Sequence, residues 1–130
     1  MPVYGLPLQN HLDVPDALKG TSILSMHDRS DTVIPWGGGE AGGWEYESGK
    51  AVADSWAAVH NCELAKSVPV KTPYDGGAKN VACQWYGKCA DDEDADGTVM
   101  FCLYDGHHGD WPAEGTDLAM WFFMGKWRFL

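Results

Sequence analysis

TSILSMHDRSDTVIP, residues 21–35, contains the outline of a strand and of the polar loop after it. A short, mostly apolar run, Ile23 to Met26, breaks into a polar knot of His27, Asp28, Arg29, Ser30 and Asp31. Val33-Ile34-Pro35 closes the stretch. An apolar run bounded by turn formers reads as a buried strand. In open α/β sheets, ligands bind beyond the carboxyl ends of strands, so a strand that ends in charge marks a place for a site. Taken alone, the knot also reads as a solvated turn, because Asp and Ser are ordinary turn residues.

A second stretch repeats the design. Val99 to Pro112 reads VMFCLYDGHHGDWP, an apolar run to Tyr104 followed by acids and two histidines. A carboxylate that orients an imidazole, which in turn takes a proton from a nucleophile, is the acid–base half of a catalytic triad. In α/β hydrolases the order along the chain is nucleophile, acid, histidine. The last two occur here in that order, each after a strand.

At these residues the chain resembles a known family. HDRSDTVIP resembles the H-G-x-x-D-x-V-V-P segment of secreted esterases related to polyhydroxybutyrate depolymerases and feruloyl esterases, and DGHHGDWP resembles their G-G-H-x-W-P segment. The resemblance runs from about Gly20 to the end of the chain. It implies that Asp31 is the triad acid and His108 the triad histidine, with His107 as the alternative. The second segment departs from the pattern by one extra residue between His108 and Trp111, or by two if His107 is the counterpart. The implied fold is α/β, the C-terminal part of an α/β-hydrolase fold, in which a parallel βαβα unit with an extra edge strand forms an incomplete sheet. The implied activity is carboxylic-ester hydrolysis through a Ser-His-Asp acyl-enzyme. It needs no cofactor, takes a small or polymeric ester, and belongs to a secreted protein. Trp36, Trp44 and Trp111 are candidates to line the substrate cleft, although Trp36 and Trp44 read equally well as packing against the next helix.

Composition sets the bounds. The chain has 130 residues, enough for one domain, and is 45% apolar, enough for a core. A net charge of −10 and a pI near 4.6 argue against a nucleic-acid partner and against an anionic membrane surface. No stretch approaches transmembrane length. Residues 1–19 lack the basic start and apolar run of a signal peptide; Pro2, Pro7 and Pro15 make an irregular lead-in, with one helical turn expected at Asp13–Leu18.

The nucleophile is the difficulty. The six serines are Ser22, Ser25, Ser30, Ser48, Ser55 and Ser67, and none has glycine both two before and two after it, as the strand–turn–helix elbow requires. The expectation is a partial hydrolase domain over residues 1–130 that supplies acid and histidine and is inactive alone, with the missing N-terminal half as its partner. The competing class is a non-catalytic, hydrolase-derived binding or interaction fragment, stabilised by calcium at Asp92, Asp94 and Asp96. Those residues open a D-x-D-x-D-G loop, but Leu103 stands where an EF-hand needs Glu, so a solvated acidic turn is the plainer reading.

The remaining stretches give organisation. Gly37, Gly39 and Gly42 spell G-x-G-x-x-G, but a proline precedes them and no helix comes at once, so a loop is the better reading of Pro35–Trp44. Ser48-Gly49-Lys50-Ala51 lacks the magnesium-binding hydroxyl of a phosphate loop. Glu45–Asn61 is expected to be helical, with Val52, Trp56 and Val59 on its apolar stripe and His60 at its C-terminal end as a cation favoured by the dipole. Lys66–Asn80 reads as a loop, Val81–Tyr86 as a short edge strand, and Leu118 to about Lys126 as a helix capped by Thr116 or Asp117. Asp105, His107, His108 and Asp110 form a weaker, metal-binding alternative to the triad.

Cys62, Cys83, Cys89 and Cys102 lack zinc-knuckle spacing and read as disulfides, hence an oxidising compartment, with free buried thiols as the alternative. Three pairings are open. The family resemblance implies Cys62 with Cys89, which leaves Cys83 with Cys102; those two face each other if their strands run side by side and antiparallel.

Overall fold

The computed structural model describes residues 6–10, 13–18, 20–62, 67–75, 77, 79–86, 89 and 98–125. Val99–Tyr104 (β6) is apolar without alternation, the pattern of a strand covered on both faces. It lies inside a four-stranded sheet of order β1-β6-β5-β4, where β1 is Ile23–Asp28, β4 is Ser67–Val70 and β5 is Ala82–Tyr86. β1 and β6 are parallel, in register from Ile23↔Val99 to Asp28↔Tyr104. β5 is antiparallel to β6, and β4 to β5. The domain is therefore mixed α/β with a mixed sheet.

Strand alternation assigns the two faces. Leu24, Met26, Cys83, Met100, Cys102 and Tyr104 face a helix, Gly115–Phe123 (α2), through Leu118, Trp121 and Phe122. Tyr86, Val99 and Phe101 face the other helix, Gly49–Val59 (α1), through Ala53 and Ala57. Small residues let α1 lie close to the sheet. At Gly49 a Cβ would stand 1.9 Å from the ring of Trp36, which packs beside Phe101 of the sheet. The buried stripe is thus Gly49, Ala53 and Ala57, beside the expected Val52, Trp56 and Val59, which are half-buried.

Helix α1 begins at Gly49 rather than Glu45. Ser48 caps it by accepting the Ala51 N–H at 3.1 Å. At its end, Asn61 takes a positive φ of 53°, the Asn61 N–H donates to Ala58 and the Cys62 N–H to Ala57, a Schellman stop. His60 is buried and bridges the chain entering β1: its Nδ1 accepts the Gly20 N–H and its Nε2–H donates to the Thr21 carbonyl. It acts as a spacer between backbone groups, not as the expected helix-terminal cation.

Two loop expectations, one edge-strand expectation and one helix start are corrected. Part of Pro35–Trp44 is a hairpin of Gly39–Ala41 (β2) and Trp44–Tyr46 (β3), turning through Gly42 and Gly43, both at positive φ, as a two-residue primed turn demands. Lys66–Asn80 contains β4, which tolerates Pro69 because an edge strand can spare one N–H. With β4 beside it, β5 is an inner strand and not the edge. Helix α2 starts at Gly115 without a side-chain cap, ahead of the expected Thr116 or Asp117. Gly115 packs against Trp111, whose Nε1–H donates to Thr116 Oγ1 at 3.2 Å. Asp16–Leu18 forms a single 3-10 turn. Among the described residues no helix is long and apolar enough to cross a membrane.

Both disulfides are formed, Cys62–Cys89 and Cys83–Cys102, and they fit an oxidising compartment. Cys83 and Cys102 are direct partners in the β5–β6 register. Replacing both by alanine removes a bridge between residues 19 apart, and is expected to cost about 3 kcal/mol on the chain-entropy argument. Urea unfolding without reductant measures it, and an unchanged midpoint would contradict a stabilising role for this bridge.

Candidate functional site

Two loops leave the sheet at the same level, because the parallel register of β1 and β6 ends on the pair Asp28↔Tyr104. The Arg29 N–H extends the ladder by donating to the Tyr104 carbonyl at 2.9 Å. Asp28 then joins the loops: it is buried, and its Oδ1 accepts the Ser30 N–H at 2.9 Å and the Gly106 N–H at 3.2 Å. Arg29 adds an outer clasp. Its Nη1 donates to Asp105 Oδ1 at 2.6 Å, and its Nη2 to the carbonyls of Asn80 and Leu103. Hydrogen bonds from Asn80 and Arg29 hold the Asp105 carboxyl below the ordinary value.

Between these clasps lies the pair expected from sequence. His108 Nδ1 is 2.8 Å from Asp31 Oδ2, across 77 positions of chain. The Asp31 side chain is 2% exposed and that of His108 is 36% exposed. The Asp31 loop folds back on its own acid: the N–H groups of Val33 and Ile34 both donate to Oδ1, at 2.8 and 2.9 Å. That leaves Oδ2 to face the imidazole. Burial pushes the Asp31 carboxyl upward. Hydrogen bonds from the Ile34 N–H, from His108 and from the Val33 N–H, with the charge of His108, more than offset it and hold the group below the ordinary carboxylate value.

His108 sits on a tight turn. The Asp110 N–H donates to the His107 carbonyl at 2.9 Å, Gly109 supplies a φ of +87°, and the Tyr104 hydroxyl donates to the Asp110 carbonyl at 2.7 Å. This turn sends the two histidines apart. His107 has a side chain 90% exposed, with Nδ1 3.6 Å from Asp110 Oδ2; His108 is the one brought to Asp31. Lys79 and the His107 N–H, acting against burial, keep the Asp110 carboxyl below its ordinary value.

Of the tryptophans expected at a cleft, Trp44 is exposed on β3 and the other two lie in packing contacts. Trp36 is half-buried against Gly49, Phe101 and His27, with ring centroids 5.4 Å from Phe101 and 5.5 Å from His27. Trp111 is half-buried on the α2 side of the core. Asp105 is engaged by Arg29, and Asp110 by Lys79 and His107. Among the described residues no group of three or more His, Cys, Asp or Glu is placed to hold a metal ion. Asp92, Asp94 and Asp96 lie outside the described residues.

Sequence reasoning did not single out Asp28, Arg29 or His27 as working residues. Asp28 and Arg29 had a signal in their place at a strand end. The contacts of His27 depend on a loop that returns to it, which composition does not reveal.

Chemically, a carboxylate on Nδ1 fixes the tautomer that keeps its proton there and makes Nε2 the basic nitrogen, on the far side of the ring. A buried acid under a partly exposed imidazole can serve a general base that takes up a proton and later returns it. Comparison with protein-family models, with curated proteins and with solved structures finds no match.

The Asp31 carboxyl is depressed in the folded state, so its contribution to stability is present above the unfolded carboxylate value and is lost as pH falls through the lowered one. Asp31→Asn is expected to be less stable at neutral pH by about 1–3 kcal/mol. The deficit should hold from pH 6 down to about 4 and shrink below it, towards pH 2. Urea midpoints across that range measure it; a deficit that does not change with pH would contradict a charged, hydrogen-bonded Asp31.

Proposed function

We propose that this chain provides the acid and the histidine of a carboxylic-ester hydrolase working through a Ser-His-Asp acyl-enzyme, of the feruloyl esterase or polyhydroxybutyrate depolymerase type. The observation that supports it is the 2.8 Å contact between Asp31 and His108 at the carboxyl ends of adjacent parallel strands. The motif resemblance points to the same two residues. In this reading Asp31 holds the imidazole in one tautomer and stabilises the imidazolium. His108 takes the proton of the attacking hydroxyl and then delivers it to the departing alcohol. The nucleophile and the oxyanion hole are assigned to a segment outside these 130 residues, since no serine here stands in the elbow pattern. The substrate is an ester, no cofactor takes part, and the two disulfides support a secreted setting.

The test is aryl-ester and feruloyl-ester hydrolysis by the natural gene product, at whatever length the cell makes it. His108→Ala is expected to lower kcat/KM by roughly 10⁶ and Asp31→Asn by roughly 10⁴, the scale on which triad members act. His107→Ala, with its side chain turned to solvent beside Asp110, should leave kcat/KM unchanged within the error of the assay. The 130-residue chain alone should not exceed the background rate. Full activity in His108→Ala, or turnover by the 130-residue chain alone, would refute the proposal.

A further inference from the structure

The loop around Asp31 is held by a residue outside the acid–base pair. His27 belongs to β1, is 2% exposed, and lies on the α1 face, where the Trp36 ring covers it at 5.5 Å. Its Nε2–H donates to the Ile34 carbonyl at 2.7 Å. The same nitrogen stands 3.7 Å from Asp31 Oδ2. Ile34 is thus pinned on both sides of its backbone: its N–H goes to Asp31 Oδ1 and its carbonyl to His27.

Asp31 Oδ1 has two donors, and both are backbone N–H groups of the loop that His27 anchors. If the Ile34 carbonyl is released, those N–H groups lose their aim, and the carboxylate is free to rotate about its last bond. The 2.8 Å contact to His108 depends on that rotation being fixed. A buried imidazole N–H requires an acceptor, and here that acceptor is a carbonyl of the Asp31 loop, 2.7 Å away.

We propose that His27 is a positioning residue for the acid–base pair: by anchoring the Ile34 carbonyl it orients Asp31 so that Oδ2 faces His108. This rests on reading Asp31 and His108 as acid and base. His27 acts through Asp31.

Three variants separate a lost donor from lost packing. His27→Phe keeps a ring beside Trp36 and removes the donor. His27→Gln places an amide nitrogen where Nε2 stands and keeps the donor. His27→Asn places its nitrogen short of Ile34, and serves in place of His27→Phe if that variant does not fold. The readout is the Nδ1–H proton of His108, observed by NMR on protein labelled with ¹⁵N-histidine. When the proton is held by a carboxylate it is protected from exchange and lies downfield of the amides.

The expected result is loss of this signal in His27→Phe, or in His27→Asn, with cooperative unfolding retained, and its return in His27→Gln. Persistence of the signal in His27→Phe or His27→Asn overturns the positioning role. So does its loss from His27→Gln in a folded protein. Asp31→Ala tests the underlying reading separately: a signal that survives it means Asp31 does not hold His108, whatever the His27 variants do.

Discussion

The parallel register of β1 and β6 is the constraint on which the site depends. Six consecutive pairs, Ile23↔Val99 through Asp28↔Tyr104, align two strands that are distant in sequence. Parallel strands need a long connection, and here α1, β4 and β5 supply it. Both strands are buried by helices on both faces, so neither can slip by one residue without turning its apolar set to the wrong layer. Their ends are therefore level, and the loops beyond them emerge side by side. The distance between Asp31 and His108 is inherited from the sheet, then refined by the turns.

Two buried acids at this sheet end show how environment divides labour. Asp28 spends its carboxylate on the N–H groups of Ser30 and Gly106 and on the Ser30 hydroxyl, and so joins one loop to the other. Asp31 spends one oxygen on backbone and turns the other to an imidazole that reaches solvent. Burial of a carboxylate is costly unless it is hydrogen-bonded. Both acids meet that demand, and only Asp31 has a titratable side chain as the partner of one oxygen at hydrogen-bonding distance. His27, behind the loop, is proposed to keep that orientation.

Much of the frame was legible because it rests on local pattern. The apolar runs of β1 and β6 stood out; the pairing of Cys83 with Cys102 was what the family resemblance left over, and it needed the antiparallel register of β5 and β6 to bring the two face to face. The start of α1 was not legible: Glu45 belongs to β3, and only the Gly42-Gly43 pair signalled a hairpin before it. β4 was hidden by Pro69, which excludes a central strand but not an edge. α2 begins on a glycine, a poor helix former, because Trp111 occupies the space a side chain would need. The choice between His107 and His108 was equally out of reach. It is made by the turn at Gly109 and by the anchor from Tyr104 to Asp110, both tertiary facts.

The proposed activity turns on whether His108 activates a serine. Covalent labelling of the natural gene product with a fluorophosphonate, followed by peptide mapping, tests this most directly. The predicted result is one labelled serine, outside these 130 residues, with labelling that His108→Ala suppresses. A product that takes up no label, or takes it up equally well without His108, would contradict the proposed activity.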